Sequence, residues 1–218
     1  MSADFHTHTI YSDGKESPRL MIEYAKKVGV DIIAITDHDT TRAFKSLEKN
    51  EAIPGIEVTS NHGHIILLCE FPPQPNSTKV EFLIDYAKEN NCIIFPSHPF
   101  DIFRKGIGNF IYSYKFSAIE VYNPKAPNSA NKKAYEVSLQ LNLPGLSNSD
   151  SHIKESLGSA YNIIDSSENR IEEILEAIRK GKIINVKNGL RFTTKVKILE
   201  WYIQRKIESS IFKVMRKV

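Results

Sequence analysis

Cysteine is scarce in this 218-residue sequence: there are only two, Cys69 and Cys92, alongside a single tryptophan. They lie far apart without CxxC spacing, each in or beside an apolar run, and read as small buried thiols. No apolar run approaches the roughly 20 residues that cross a bilayer, and Asp4 and His6 stand where a signal peptide would be apolar. The chain therefore reads as cytoplasmic, with no membrane span. A Walker loop, a dinucleotide fingerprint and a GxSxG elbow are also missing, which argues against ATP, NAD or a serine nucleophile. Sequence repeats and low-complexity tracts are absent too, and "PPQPNS" (72–77) reads as a surface turn rather than a linker.

Charge of one sign is lacking overall, but not locally. The net charge is +3, yet residues 193–218 hold seven Lys/Arg against two Glu, which leaves 22 Lys/Arg against 24 Asp/Glu for the rest. The basic character belongs to the tail, and the main body does not call for a nucleic-acid partner. With 41 % apolar and 25 % charged residues, the composition is that of a globular chain. At this length it suits one domain that buries about 70 % of its unfolded surface.

What is present is an alternation of short apolar runs with helical patterns, which points to a parallel α/β architecture. Strand candidates are 4–9, 31–36, 55–59, 64–71, 92–96, 118–123, 145–148 and 159–164, mostly apolar on both faces. Between them, "SPRLMIEYAKKVG" offers Ser17 as N-cap, Pro18 at the first helical position and Gly29 past the end. Thr78 and Glu81 have capping-box spacing before a second helix, and two more helices are expected over 128–141 and 169–180. Strand and helix would alternate about seven times. A break near Gly189 divides residues 1–190 from a 191–218 extension. There Val196, Leu199, Ile203, Ile207, Ile211 and Val214 or Met215 share a helical face opposite the basic residues. That basic amphipathic helix is expected to pack on the body or on a second subunit. Membrane-surface or nucleic-acid contact through Trp201 and Tyr202 is the alternative.

All seven histidines fall at strand boundaries: His6, His8, His38, His62, His64, His98 and His152. Side chains alternate along a strand, so His6 and His8 point the same way, as do Asp150 and His152. Asp13, Asp37, Asp39, Glu57, Glu120 and Asp150 occupy similar positions. Glu57 is the most informative, because it sits inside an apolar strand where an unpaired charge is costly to bury, so it should face a cation or a basic partner. Mixed imidazole and carboxylate sets suit zinc, manganese or iron better than the all-oxygen shells of magnesium and calcium.

The segments "HTH…SDG", "TDHD", "GIEV", "HIILL", "SHPF", "IEVYN" and "SDSH" occur in an order that resembles the polymerase and histidinol phosphatase (PHP) superfamily of metal-dependent phosphoesterases. The resemblance covers about residues 4–165. It implies a distorted, TIM-like (β/α)7 barrel holding two or three divalent ions. Carried over, His6, His8, Glu57 and Asp150 would bind one ion, with Glu57 bridging to a second held by His64 and His98. His38, His152 and Asp13 would bind a third, where the family often has histidine in place of Asp13. His62 is then surface or supporting, Asp37 would orient a ligand histidine, and Glu120 would do the same or pair with a lysine.

The reaction so implied is hydrolysis of a phosphate monoester or diester of a small metabolite or nucleotide, with a metal-bridged hydroxide as nucleophile. Glu57 and Asp150 would organise the ions, and His38 or His152 would protonate the departing alkoxide. Arg104 and Lys105 in "HPFDIFRKGIG" are candidates for binding phosphate, or simply solvated loop charges. The aromatic cluster of residues 100–116 would cover the core or stack on a substrate ring. Two other readings stand beside this one: a 3′-5′ exonuclease-like nuclease and a non-enzymatic metal-binding or scaffold module. The expected partner is a small phosphorylated substrate, with nucleic acid as the alternative and a homo-oligomer as a further possibility.

Overall fold

The computed structural model describes residues 1–165 and 170–215, with side chains to residue 210. Strand β1 (Ser2–Asp4) leads into α1 (Pro18–Lys27), where Ser17 accepts a hydrogen bond from the Leu20 N–H at 3.4 Å and Pro18 opens the helix, as the sequence predicts. Then come β2 (Ile32–Ile35), β3 (Ile53–Ser60), β4 (Gly63–Leu68), α2 (Val80–Glu89) and β5 (Ile93–Pro96). A long connection with two short 3₁₀ turns reaches β6 (Ile119–Tyr122), α3 (Asn128–Gln140) and β7 (Gly145–Ser147). The chain continues with β8 (Tyr161–Ile164), α4 (Ile171–Arg179), β9 (Ile183–Val186) and α5 (Phe192–Met215).

Seven strands form one curled sheet in the order β5-β4-β3-β2-β1-β8-β9, and β6 and β7 make a separate parallel pair. The pair closes the gap between the two sides of the sheet: Ser117 N–H reaches Ile94 O at 2.8 Å, and His8 N–H reaches Ser151 O at 2.8 Å. This is an α/β fold, but its sheet is mixed where the sequence predicts parallel strands. Parallel pairing holds for β1–β2, β2–β3 and β6–β7; β3–β4, β4–β5, β1–β8 and β8–β9 are antiparallel. For β4 the reason lies at residues 60–63, where Ser60 pairs with Gly63 across a tight turn too short for a crossover helix. Gly63 takes φ +139 there, and a Cβ on it would meet Lys105 O at 2.6 Å.

The interior cluster holds Phe5, Ile53, Ile66, Phe95 and Leu146, against which α4 packs Ile174, Leu175 and Ile178. A second cluster joins Ile56 and Val58 of β3 to Val80 and Leu83 of α2 and to Val137 of α3. Each such fully buried aliphatic side chain is worth about 1.5–3 kcal/mol of transfer free energy.

Several expectations are corrected. The Thr78–Glu81 capping box does not form; instead Asn61 Oδ1, from the β3–β4 turn, accepts from the Val80 N–H at 3.0 Å and so caps α2 from another element. Strand β1 stops at Asp4, and Phe5–Thr9 run on beyond it. The α4 start expected at residue 169 lies outside the described residues, and β9 went unforeseen. Cys69 and Cys92 are joined by a disulfide rather than being free thiols, with Cα atoms 4.4 Å apart. Leu68 pairs with Ile93, so the antiparallel register brings the next residue out on each strand face to face.

Candidate metal centre

Local packing fixes where the polar groups point. Beyond β1, Phe5 enters the interior cluster, and Thr7 is pinned by its hydroxyl donating to Ala34 O at 2.7 Å and its N–H donating to Thr36 Oγ1 at 3.2 Å. His6 and His8 flank Thr7 and therefore face the mouth of the curled sheet. In β3, Ile56 and Val58 pack toward α2, which turns Ile53 and Glu57 inward. Because β4 runs back against β3, it is the start of that strand that delivers His64, opposite Thr59. His98 and Asp150 follow β5 and β7 in the left-handed region, at φ 32 and φ 51. The turn at His98 is held by its N–H donating to Glu120 Oε2 at 2.6 Å.

The histidines and carboxylates expected as ligands converge. Glu57 Oε2 lies 3.2 Å from His6 Nε2, 3.2 Å from His8 Nε2 and 3.3 Å from His38 Nδ1. Its Oε1 lies 3.3 Å from His64 Nδ1 and 3.4 Å from His98 Nε2. Asp150 Oδ1 is 3.6 Å from His6 Nε2 and 3.5 Å from His8 Nε2. Asp13 Oδ1 is 3.0 Å from His152 Nε2 and 3.8 Å from His38 Nε2. Metal–ligand bonds of about 2.0–2.2 Å at tetrahedral or octahedral angles place neighbouring donors roughly 3.0–3.5 Å apart, which is the spacing of most of these pairs.

A second observation agrees with an ion. Among the described residues, buried His8 Nδ1, Asp13 Oδ1, His38 Nδ1, His64 Nδ1, His98 Nδ1 and Arg104 Nη2 make no well-directed hydrogen bond, although a folded chain rarely leaves such atoms unpaired. Five of the six belong to the converging set, and Arg104 pairs with its member Asp150. Donor atoms of His8, Asp13, His38 and His152, of His6, His8 and Asp150, and of His38, Glu57 and His64 form three groups, within 4.8 Å in each. The residues present thus fit divalent ions.

Electrostatics follow from this crowding. Burial opposes the charged form of Glu57, yet His6 and His38 hold its carboxyl well below the usual range. Asp150 is held low in the same way, against its burial, by Lys125, His6 and Arg104. Burial works against a charged His8, but Asp150, Glu57 and Asp13 push it up to about 9. His38 goes the other way, down to about 4, because burial dominates. Asp4, fully buried, is pushed up to about 7 by burial while accepting hydrogen bonds from Ser149.

Around this set sit orienting and cationic groups. Glu120 accepts from His6 Nδ1 at 3.0 Å, which presents His6 Nε2 to the centre. Asp37 does not orient His38; it accepts from Thr9 N–H at 2.7 Å and from the Thr9 and Ser12 hydroxyls at 2.6 Å, fixing the loop that carries Asp13. Its position next to His38 in sequence turns it away, and the nearer donors win. His62 stacks on Phe110, with ring centroids 4.0 Å apart, and stands outside the set. Arg104 pairs with Asp101 at 2.8 Å and with Asp150, while Lys105 lines the cavity without such a pair among the described residues. Lys125 went unforeseen: its Nζ is 2.9 Å from Asp150 Oδ1 and 3.0 Å from His152 Nδ1. The signal was "IEVYNPK", which places a lysine just past a strand that already supplies Glu120.

A cavity of about 510 Å³ opens over these groups, and α5 forms part of its wall. Trp201 Nε1 donates to Asp13 O at 3.1 Å, and Arg205 Nη1 reaches Asp13 Oδ2 at 2.9 Å. The helix thus meets the body through Trp201 and Arg205, a face other than the apolar stripe read from the sequence. Val196, Leu199, Ile203 and Ile207 remain 40–57 % exposed, because pairing with Asp13 and Glu155 sets the rotation of the helix. The rest of the expected stripe, Ile211 and Val214 or Met215, lies outside the described side chains.

Comparison with known proteins gives a consistent picture. The PHP-associated family model matches residues 128–183. An uncharacterized protein of Methanocaldococcus jannaschii is 34 % identical over 140 residues, which cover 56 % of this chain and 82 % of that protein. The 5′-3′ exoribonuclease Rnm of Escherichia coli is 35 % identical over 92 residues, about a third of each chain. A two-domain Bacteroides vulgatus protein described as containing a PHP-like metal-dependent phosphoesterase superposes with TM-score 0.69 at 18 % identity, over 86 % of this chain and 64 % of that one. The lesion-specific endonuclease EndoQ of Pyrococcus furiosus superposes with TM-score 0.60 at 20 % identity, over 87 % of this chain and 59 % of that one. These likenesses of structure are likenesses of fold.

Proposed function

We propose that this chain, which belongs to the polymerase and histidinol phosphatase (PHP) superfamily, is a metal-dependent hydrolase of phosphate esters. The observation that carries the reading is the Glu57 carboxylate, whose two oxygens are shared between the His6, His8, His38 group and the His64, His98 group. In this reading His6, His8, Glu57 and Asp150 hold one ion, Glu57, His64 and His98 a second, and Asp13, His38 and His152 a third. Zinc, manganese and iron all suit the set. Ions held there would supply positive charge at the phosphoryl oxygens and a water acidic enough to attack near neutral pH.

The chain's own residues do the rest. Arg104 and Lys125, already gathered around Asp150, offer charge-assisted hydrogen bonds to the phosphoryl oxygens, and Lys105 adds charge at the rim. Where no third ion is held, His152, 16 % exposed at the mouth, is placed to pass a proton to the departing alkoxide, whereas the lowered pKa of His38 leaves it unprotonated near neutral pH and suits it to ligation. Glu120 holds His6 by Nδ1 so that Nε2 stays free for ligation. In this reading residues 1–190 are the catalytic body, and the described helix of the extension, Phe192–Met215, borders its mouth.

The test is metal content after purification, followed by turnover of phosphate monoesters and diesters with zinc, manganese and iron in turn. Bound metal and a hydrolysed ester support the reading. A chain that binds no metal and cleaves nothing would be a scaffold instead. A nuclease reading is favoured by one observation, the stretch shared with the Escherichia coli exoribonuclease, whose 5′-3′ direction is opposite to the 3′-5′ polarity considered from sequence. Short oligonucleotides phosphorylated at either end, included in the same panel, decide it.

A further inference from the structure

The cavity over the histidines is not polar throughout. Phe103, on the turn after β5, is 83 % exposed, and Leu199 and Tyr202 of α5 are 57 % and 51 % exposed, yet all three line the same cavity as His64, His98 and Asp150. Single exposed apolar residues need no explanation, but three from two distant parts of the chain, gathered in one concavity beside buried polar groups, do. The wall is held in place: Trp201 and Arg205 both bond Asp13, and Lys197 pairs with Glu155 at 2.9 Å. Lys105, Lys195 and Arg205 add cations around it.

A phosphate ester with its phosphorus at the histidine cluster projects its alcohol part into this cavity. A small polyol would leave the faces of Phe103 and Leu199 in contact with water, since neither has a polar side-chain atom to meet its hydroxyls. A flat ring would cover apolar surface that water now covers, and stacking of this kind tolerates many rings. We infer that Phe103, Leu199 and Tyr202 are specificity-determining residues that select phosphate esters whose alcohol carries a flat ring, a nucleoside phosphate, free or at the end of a strand. This rests on the phosphoesterase reading above and names its substrate class.

The experiment compares adenosine 5′-monophosphate, ribose 5-phosphate and a short 5′-phosphorylated oligonucleotide, with manganese present. The ring esters are expected to show KM values at least about tenfold below that of ribose 5-phosphate, as stacking on exposed aromatics implies. Phe103→Ala and Tyr202→Ala should each shrink that gap through KM more than kcat, Tyr202→Phe should restore it, and Leu139→Ala on α3 should leave it untouched. A preference confined to the oligonucleotide identifies a strand end as the source of the ring. Equal KM values for ribose 5-phosphate and both ring esters, adenosine monophosphate and the oligonucleotide, or a gap that survives Phe103→Ala with Tyr202→Ala, overturn the inference. If no ester is hydrolysed, the phosphoesterase reading falls and the slot is judged separately by the fluorescence of Trp201, the only tryptophan in the sequence. Saturable quenching by adenosine monophosphate but not by ribose 5-phosphate supports the slot, and quenching by neither, or by both alike, rejects it.

Discussion

Glu57 Oε2 lies 3.2 Å from His6 Nε2, although the two residues are 51 apart in sequence. The same carboxylate reaches His98 with its other oxygen, so a single side chain ties both sides of the centre together. Glu57→Gln keeps the shape and removes the charge. It is expected to lower bound metal by at least one ion per chain and to reduce turnover by more than the roughly 10- to 100-fold typical of losing a ligand's hydrogen-bond partner. Metal analysis and rates on one ester check both, and full occupancy with unchanged turnover would remove Glu57 from the centre.

Glu120 acts one step further out. It accepts from His6 Nδ1, His98 N–H, Asn123 Nδ2 and Asn148 Nδ2, all between 2.6 and 3.1 Å. Glu120→Gln puts an amide donor among four donors, so the His6 ring loses its anchor. Metal affinity is expected to fall about 10- to 100-fold, measured well below the melting temperature. A variant that melts earlier but binds metal as tightly would show that Glu120 is only structural.

Much of this centre was legible in the sequence because imidazole and carboxylate at strand boundaries have few inexpensive alternatives, and Glu57 in an apolar strand has almost none. What stayed hidden depended on direction and distance. The antiparallel course of β4 follows from a tight turn at Gly63, and without it the face-to-face approach of Cys69 and Cys92 cannot be seen. Lys125 and Arg205 look like any of 29 basic residues until the fold brings them to Asp150 and Asp13. The rotation of α5 was misread for a related reason: hydrophobic periodicity describes a face, and here polar anchors at Asp13 and Glu155 chose another.

Gly14 closes the "SDG" segment, where a Cβ would stand 2.4 Å from His8 O and 2.7 Å from Thr9 N. Both contacts are backbone atoms, of His8 itself and of the residue after it, and cannot swing aside. Gly14→Ala is expected to cost roughly 1–3 kcal/mol of stability, as overpacking does, and to weaken metal binding by displacing His8. Denaturant unfolding and a metal titration read the two effects, and a variant matching the parent in both would mean that the loop yields freely.

The Cys69–Cys92 disulfide closes a separation of 23 residues, worth about 3 kcal/mol in the chain-entropy view. It joins the end of β4 to the start of β5, whereas His64 and His98 mark the opposite ends of those strands. Replacing both cysteines with serine, or adding reductant, should therefore lower stability by up to that amount while leaving turnover unchanged. Thiol titration of the native protein should find none free; two reactive thiols would refute the bond.

Protons and metal ions compete for the same nitrogens, which ties stability to pH. His8 is pushed up from an ordinary 6.5 to about 9 by Asp150, Glu57 and Asp13, against its burial. In the ion-free chain that raised value stabilises the fold fully below 6.5, and the contribution is lost as pH climbs through about 9. Metal binding needs the imidazole unprotonated, so apparent affinity should rise over the same window, by up to tenfold per pH unit for each proton displaced. At 100 times Kd, an ion that binds only the native state adds about 2.7 kcal/mol. The melting temperature of the loaded protein should therefore exceed that of the chelator-treated protein by a margin that widens from pH 6.5 to 9. Calorimetry in buffers of different ionisation enthalpy should register proton release near neutrality. A margin that stays flat with pH, with no protons released, would mean that His8 is not a ligand.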